Sequence, residues 1–290
     1  MFVIVGWVVA LACIFGVYVA HGGNIHVILH ALPFEMITIL GAAGGAFLAN
    51  NQMKVVKSSL KGIGRCFKGS KFNKARYMEL LALMYDILQK ARKEGLMSIE
   101  KDVEDPHNSA LFQKYAIVGN DHHVVEFVTD YLRMMVSGNL NAHEIESLMD
   151  SEIETHHNEE HAAVAAIGRL AGGLPAFGIV AAVLGVVNTM GSVGQPPAVL
   201  GGMIGSALVG TFLGVFLAYG IVGPMGARLK SIVDEDAQFY HVIRDILVAH
   251  LHGNAAQVSV EIGRGSVPSE AQPSFLEMEE ALNTIPPDQG

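Results

Sequence analysis

The sequence predicts an all-α integral membrane protein with four transmembrane helices. A helical cytoplasmic domain is expected between spans 2 and 3, and helical stalks continue spans 3 and 4. Three observations carry that reading. Of 290 residues, 51% are hydrophobic and only 16% charged, with a mean hydropathy of +0.37, a balance that suits a membrane protein with aqueous parts. The apolar residues gather into stretches of about the 20 needed to cross a bilayer as a helix. The basic residues gather beside those stretches, where they set orientation.

The first stretch, Phe2 to Ala20, has no charged residue and ends at His21-Gly22-Gly23. No basic segment precedes it, so it reads as an uncleaved helix and not a signal peptide. A loop over 21–33 carries His21, His26 and His30 without Lys or Arg. Pro33 and Glu35 then open the second apolar run, which reaches Asn50. That run is short, so the span starts before Pro33 or takes in the region of Glu35. Gly41 and Gly45 stand at the four-residue spacing that lets helices approach closely in lipid.

Between Asn51 and Arg76 come Lys54, Lys57, Lys61, Arg65, Lys68, Lys71, Lys74 and Arg76, with no acid among them. The positive-inside rule makes this segment cytoplasmic and both termini with it. A nucleic-acid role is the weaker reading of the same charges. From Tyr77 to about Arg169 the apolar residues keep helical spacing, with stops at Gly95 and at Ser137-Gly138-Asn139. A further helix starts near Asn141 and runs on into span 3.

Ala171 to Ala227 forms a second hairpin with no Asp, Glu, Lys, Arg or His. Pro196 and Pro197 break it into two spans, and Gly201/Gly205 and Gly210/Gly214 repeat the close-packing spacing. Span 4 is expected to continue inward to about His250. The stretch after Arg264 has Pro, Ser and Glu but no Lys or Arg, and reads as a poorly ordered acidic tail. The domains are thus residues 1–50 with spans 1 and 2, 51–167 as a cytoplasmic helical domain, 168–226 with spans 3 and 4, and 227–290 as a cytoplasmic helix and tail.

Chemistry is sparse. Cys13 and Cys66 sit in different environments and read as free thiols. There is no phosphate-binding glycine loop, and no cofactor is implied. His157-Asn158-Glu159-Glu160-His161 matches the H-x-x-E-H pattern of inverted zincins. That would make His157 and His161 zinc ligands and Glu160 a base in a membrane protease. The competing reading is a solvated helix face, and it is preferred because short motifs match by chance; no metal site is assigned. Within the hairpin, Asn188, Thr189, Ser206, Thr211 and Tyr219 interrupt apolar faces. Hydroxyls there either bond back to their own helix or line a path. An ion path needs an ionisable group; since the hairpin has none, another chain would have to supply it. Pro175 and Pro224 are tolerated kinks or hinges.

Several stretches together resemble one family: LPAFGIVAAVLGVV and TFLGVFLAYGIVGP in the hairpin, YMELLALMYDILQKARKEGLMSIEKDVEDP after the basic segment, and the tail VEIGRG…PSFLEMEE. They are similar to the MotA family of flagellar motor stator subunits, within the MotA/TolQ/ExbB superfamily, across essentially the whole chain. The resemblance implies an inner-membrane, multi-pass, non-enzymatic protein, forming a homopentamer around a MotB dimer. MotB would supply the membrane Asp, and ion flow would be converted to torque on the rotor protein FliG. It places the ion pathway at Thr189, Thr211, Tyr219 and Ala182, conformational coupling at Pro175 and Pro224, and the rotor contact at Arg92 and Glu100. Where sodium-driven relatives have a threonine, this chain has Ala182, which implies protons. ExbB- and TolQ-like energisers of envelope complexes have similar hairpins but lack the long charged segment and the tail.

Overall fold

The computed structural model describes residues 2–138 and 141–283, and among these it is helical throughout, with no strand. Among the described residues, four helices are long and apolar enough to cross a membrane. The first, α1 (Phe2–Ala20), ends in a turn closed by Gly22, whose φ of 79° suits glycine. Asn24 then caps α2 (Ile25–Asn50) by accepting from the His26 amide. The loop between α1 and α2 is therefore four residues long, and α2 passes through Pro33 without stopping. Spanning helices tolerate an internal proline, and α2 starts eight residues before Pro33.

A break at Asn51-Gln52 leads into α3 (Met53–Lys68), whose apolar and basic residues lie on separate faces. Gly69, at φ 82°, ends it. The next helix, α4 (Lys74–Glu94), is capped by Asn73 and stopped by Gly95 at φ 89°. A tight 3₁₀ turn (Leu96–Ile99) and three short helices, α5 (Glu100–Glu104), α6 (Ala110–Lys114) and α7 (Ala116–Gly119), connect it to α8 (His122–Ser137). The stop at 137–139 is made by Gly138 in the left-handed region; Asn139 lies outside the described residues.

Helix α9 (Ala142–Met190) is one unbroken element of 49 residues. Its partner begins with Pro197 in the first turn of α10 (Pro197–Phe216), where proline's missing N–H is no loss. A wide-turn segment, Leu217–Val222, follows, with the Gly223 amide bonded five residues back to Ala218. Next comes α11 (Gly223–Leu251). Pro224 has no amide to give, so the regular ladder lapses just where the wide turn sits. Then come α12 (Ala256–Gly265) and α13 (Phe275–Asn283). The acidic tail is thus not poorly ordered up to Asn283: Met278 is buried and Glu277 pairs with Lys74 at 2.7 Å. Apolar positions at helical spacing outweigh its Pro- and Ser-rich composition.

The chain forms two units. The apolar unit comprises residues 1–69 and 159–233, the polar unit 70–158 and 234–290. The core of the apolar unit joins Ile39 and Ala43 of α2 to Leu174 and Ala181 of α9 and to Leu213, Leu217 and Ala218. A second cluster, Cys66, Ile167, Leu229 and Val233, seats α3. The polar unit has a larger core in which Phe72 stacks on Phe239 at 4.1 Å and Tyr77 lies 5.0 Å from the same ring. Asp121, with a side chain only 9% exposed, holds Lys71 at 2.8 Å and Arg76 at 2.6 Å.

Candidate functional site: the glycine-packed hairpin and the exposed turn after α4

The hairpin of α9 and α10 is closed by contact between backbones. A methyl group added at Gly178 would lie 2.7 Å from the Gly210 carbonyl oxygen and 2.9 Å from the Gly214 Cα. One added at Gly214 would lie 2.8 Å from both Gly178 Cα and Leu174 O, and one at Gly185 2.6 Å from the Ala207 methyl. The Gly210/Gly214 spacing therefore does what such spacing does in lipid, bringing helix axes close enough for dispersion contacts along their length. Gly41 and Gly45 behave differently: no described atom outside their own helix lies within 4 Å of an added methyl at either.

Toward the loop ends of these helices a cavity of about 530 Å³ opens between α2, α9 and α10. His26, His30 and Glu35 line it from α2, Asn188 and Thr189 from α9, and Ser206 from α10. Thr189, 5% exposed, donates its hydroxyl to the Gly185 carbonyl at 2.9 Å, so it is satisfied by its own helix. One Glu35 oxygen is buried with no hydrogen-bond partner among the described residues. The same oxygen would meet an added methyl on Gly210 at 2.7 Å. The hairpin itself has no Asp, Glu, Lys, Arg or His, but this chain brings a carboxyl group against it from α2. Sequence reasoning passed over Glu35 as an interface residue; its one available signal was a lone acid in an apolar run.

The remaining hairpin residues do not share that cavity. Ala182, 9% exposed, packs its backbone against Gly210. Thr211 is half-buried two helical turns before Tyr219, which stands 73% exposed in the wide-turn segment. Pro175 follows the buried Leu174, and Pro224 follows the wide turn.

In the polar unit, Arg92 and Glu100 are both exposed on either side of Gly95. The turn between them is stiff. Ile99 is wholly buried, and the Ser98 hydroxyl donates to Gly95 O at 2.7 Å. Lys90 pairs with Asp102 at 2.8 Å, and Asp102 also accepts from Ser109 at 2.7 Å. Arg92 stands near His250, whose pKa is lowered first by burial and also by that neighbouring charge. The turn thus presents Arg92, Lys93, Glu94, Glu100 and Lys101 to solvent from a fixed base.

These elements fall within known sequence families. Residues 4–95 match the model of the motility protein A N-terminal region, and residues 120–241 that of the MotA/TolQ/ExbB proton channel family. Motility protein A of Escherichia coli K12 is 40% identical over 285 residues, spanning 98% of this chain and 96% of that one. The chain belongs to the motility protein A family.

Another relative is chemotaxis protein LafT of Vibrio parahaemolyticus, 33% identical over 277 residues and 96% of each chain. Among solved structures, C. jejuni MotAB gives a TM-score of 0.76 over 94% of this chain and 98% of that one, at 21% identity. The flagellar MotAB stator complex of Bacillus subtilis gives 0.70 over 89% and 92%, at 24% identity. The chain thus shares the fold of these MotAB subunits over most of its length.

Membership of the motility protein A family also replaces the protease reading. Glu160, the residue that would have been its base, is paired with Arg65 at 3.1 Å, and Glu159 with Lys54 at 2.7 Å. His157 lies 3.6 Å from Asp234. The motif is a helix face whose two glutamates neutralise part of the basic α3.

Proposed function

We infer that this MotA-family chain is the stator subunit of a bacterial flagellar motor. It forms with MotB an ion channel in the inner membrane, and the ion flow is converted to torque on the rotor protein FliG. The observation that carries the reading is the hairpin: two glycine-packed spans with no Asp, Glu, Lys, Arg or His of their own, in a chain of the proton channel family. Such a hairpin can form one wall of a path but cannot relay a proton alone. A partner helix with an Asp completes it, which is the part MotB plays in this reading. Five copies of the chain would surround two of MotB, with both termini and the polar unit in the cytoplasm, as the run from Lys54 to Arg76 supports.

Within that assembly Thr189, Thr211 and Tyr219 line or border the ion path. Ala182 offers no side-chain oxygen, which favours protons over sodium, since a bare cation wants several oxygen ligands. Pro175 and Pro224 are the positions where α9 and the wide turn before α11 can bend. Arg92 and Glu100 face complementary charges on FliG, where exposed charges set register and encounter more than affinity. Co-expression with MotB followed by native mass spectrometry tests the reading. One assembly of five copies with two of MotB is expected; a monodisperse monomer that still restores swimming would overturn it.

A further inference from the structure

We propose that α3 is a docking surface for anionic phospholipid headgroups, lying in the plane of the membrane with Lys57, Lys61 and Lys68 as the contact set. The helix follows α2 after a break of only Asn51 and Gln52, so it starts at the bilayer surface that α2 leaves. Its inner face is fixed to protein. Val56, Ser59, Gly62 and Cys66 are buried, and an added methyl at Gly62 would lie 2.6 Å from Leu229. One edge is neutralised, because Lys54 and Arg65 pair with Glu159 and Glu160.

The remaining arc has two strips. Met53, Leu60 and Phe67 are 61%, 65% and 41% exposed. Seven residues apart, they drift by only ~20° per step and form one apolar line. Lys57, Lys61 and Lys68 occupy the adjoining line, all exposed, and have no ion pair among the described residues. An apolar line beside unpaired lysines suits neither water alone nor hydrocarbon alone. It suits the boundary, with side chains of the first line among acyl chains and ammonium groups among phosphates. An independent contact fixes the depth: Phe67 meets Trp7 of the spanning helix α1 edge to face, with ring centroids 5.8 Å apart. Trp7 is five residues from the end of α1, where indoles sit at membrane interfaces.

The same tryptophan gives the test, because it is the sole one in the chain. The full chain is reconstituted in phosphatidylcholine vesicles carrying a small fraction of dibrominated lipid, which quenches indole fluorescence on contact. Dibrominated phosphatidylglycerol should quench Trp7 at least about two-fold more than dibrominated phosphatidylcholine at equal fraction, because lysines near a surface concentrate anionic lipid. The excess should vanish in Lys57→Gln/Lys61→Gln/Lys68→Gln, persist in Lys54→Gln, and fall in molar salt, where screening shortens to about 3 Å. Salt acts on the unaltered protein, so a misfolded triple variant does not remove the test. Equal quenching by the two lipids in the native chain, as when a second copy covers this face, overturns the proposal. So does an excess that survives both the triple substitution and salt.

Discussion

Gly178→Ala tests whether the hairpin is held by backbone contact. The added methyl would stand 2.7 Å from the Gly210 carbonyl oxygen, where ordinary contact begins at 3.4 Å, a shortfall of about 0.7 Å. All three of its nearest atoms are backbone, so no side chain can turn aside and α9 must move away from α10. A gap of that size forfeits a quarter to a half of each dispersion contact along the seam, and overpacking of this kind typically costs ~1–3 kcal/mol. Gly172→Ala on the same helix is the control, since nothing lies within 4 Å of its added methyl. There alanine's better helix propensity should be neutral or stabilising by ~0.5–1 kcal/mol. Unfolding in mixed micelles, followed by the fluorescence of Trp7 in the apolar unit, reads both. If the two variants unfold together, the seam is not a backbone contact.

Asp121→Asn should destabilise the polar unit by ~1–3 kcal/mol at neutral pH by leaving Lys71 and Arg76 short of an acceptor. Burial alone would raise the Asp121 pKa, but those two cations hold it below the ordinary value. Its contribution is therefore present above the usual carboxylate range and lost as pH falls below that range through the lowered folded pKa, so native and variant stabilities should converge in acid, as read by urea unfolding. Pro224→Ala restores an amide beside the wide turn, and should abolish swimming while membrane abundance stays unchanged. Arg92→Glu should impair swimming more than Arg92→Ala does, because reversal adds repulsion, and a matching reversal on FliG should restore part of it in a swarm assay.

The spans were legible because their length and lack of charge admit few alternatives, and the continuity of α9 followed from apolar residues at helical spacing from Ile145 to Ile153 and from the lack of any Gly or Pro between there and Gly168. Gly95 announced the end of α4 because a residue at φ 89° is best served by glycine. The start of α2 was less legible: Pro33 reads as a stop in water, whereas a spanning helix can run through a proline, as α2 does. Glu35 was hidden for a related reason, since sequence gives its depth but not which face of α2 meets Gly210. The order of residues 265–283 depends on apolar side chains that reach the core of the polar unit, Val267 and Met278 among them, and the Pro- and Ser-rich composition masks them. The wide turn at Leu217–Val222 was signalled only indirectly, by the proline that follows it.

Tyr219 brings these considerations together, because two physical readings compete for it. It is 73% exposed, and it makes no hydrogen bond through its hydroxyl among the described residues. A phenol in hydrocarbon would leave that hydroxyl unsatisfied at a cost of ~1–3 kcal/mol, so Tyr219 must reach either headgroups or protein and water. It lies 22 residues beyond Pro197, about 33 Å along a helix rising 1.5 Å per residue, which is the depth of an interfacial aromatic belt. The belt reading makes tryptophan an acceptable replacement, since an indole has the same apolar body and polar tip. The pathway reading does not: Tyr219 would face the partner helix from a wide turn, where a bulkier ring cannot be accommodated against a second chain. Tyr219→Trp should then abolish swimming at unchanged membrane abundance, with Tyr219→Phe slowing it. Normal swimming by the tryptophan variant would assign Tyr219 to the belt and remove it from the ion path.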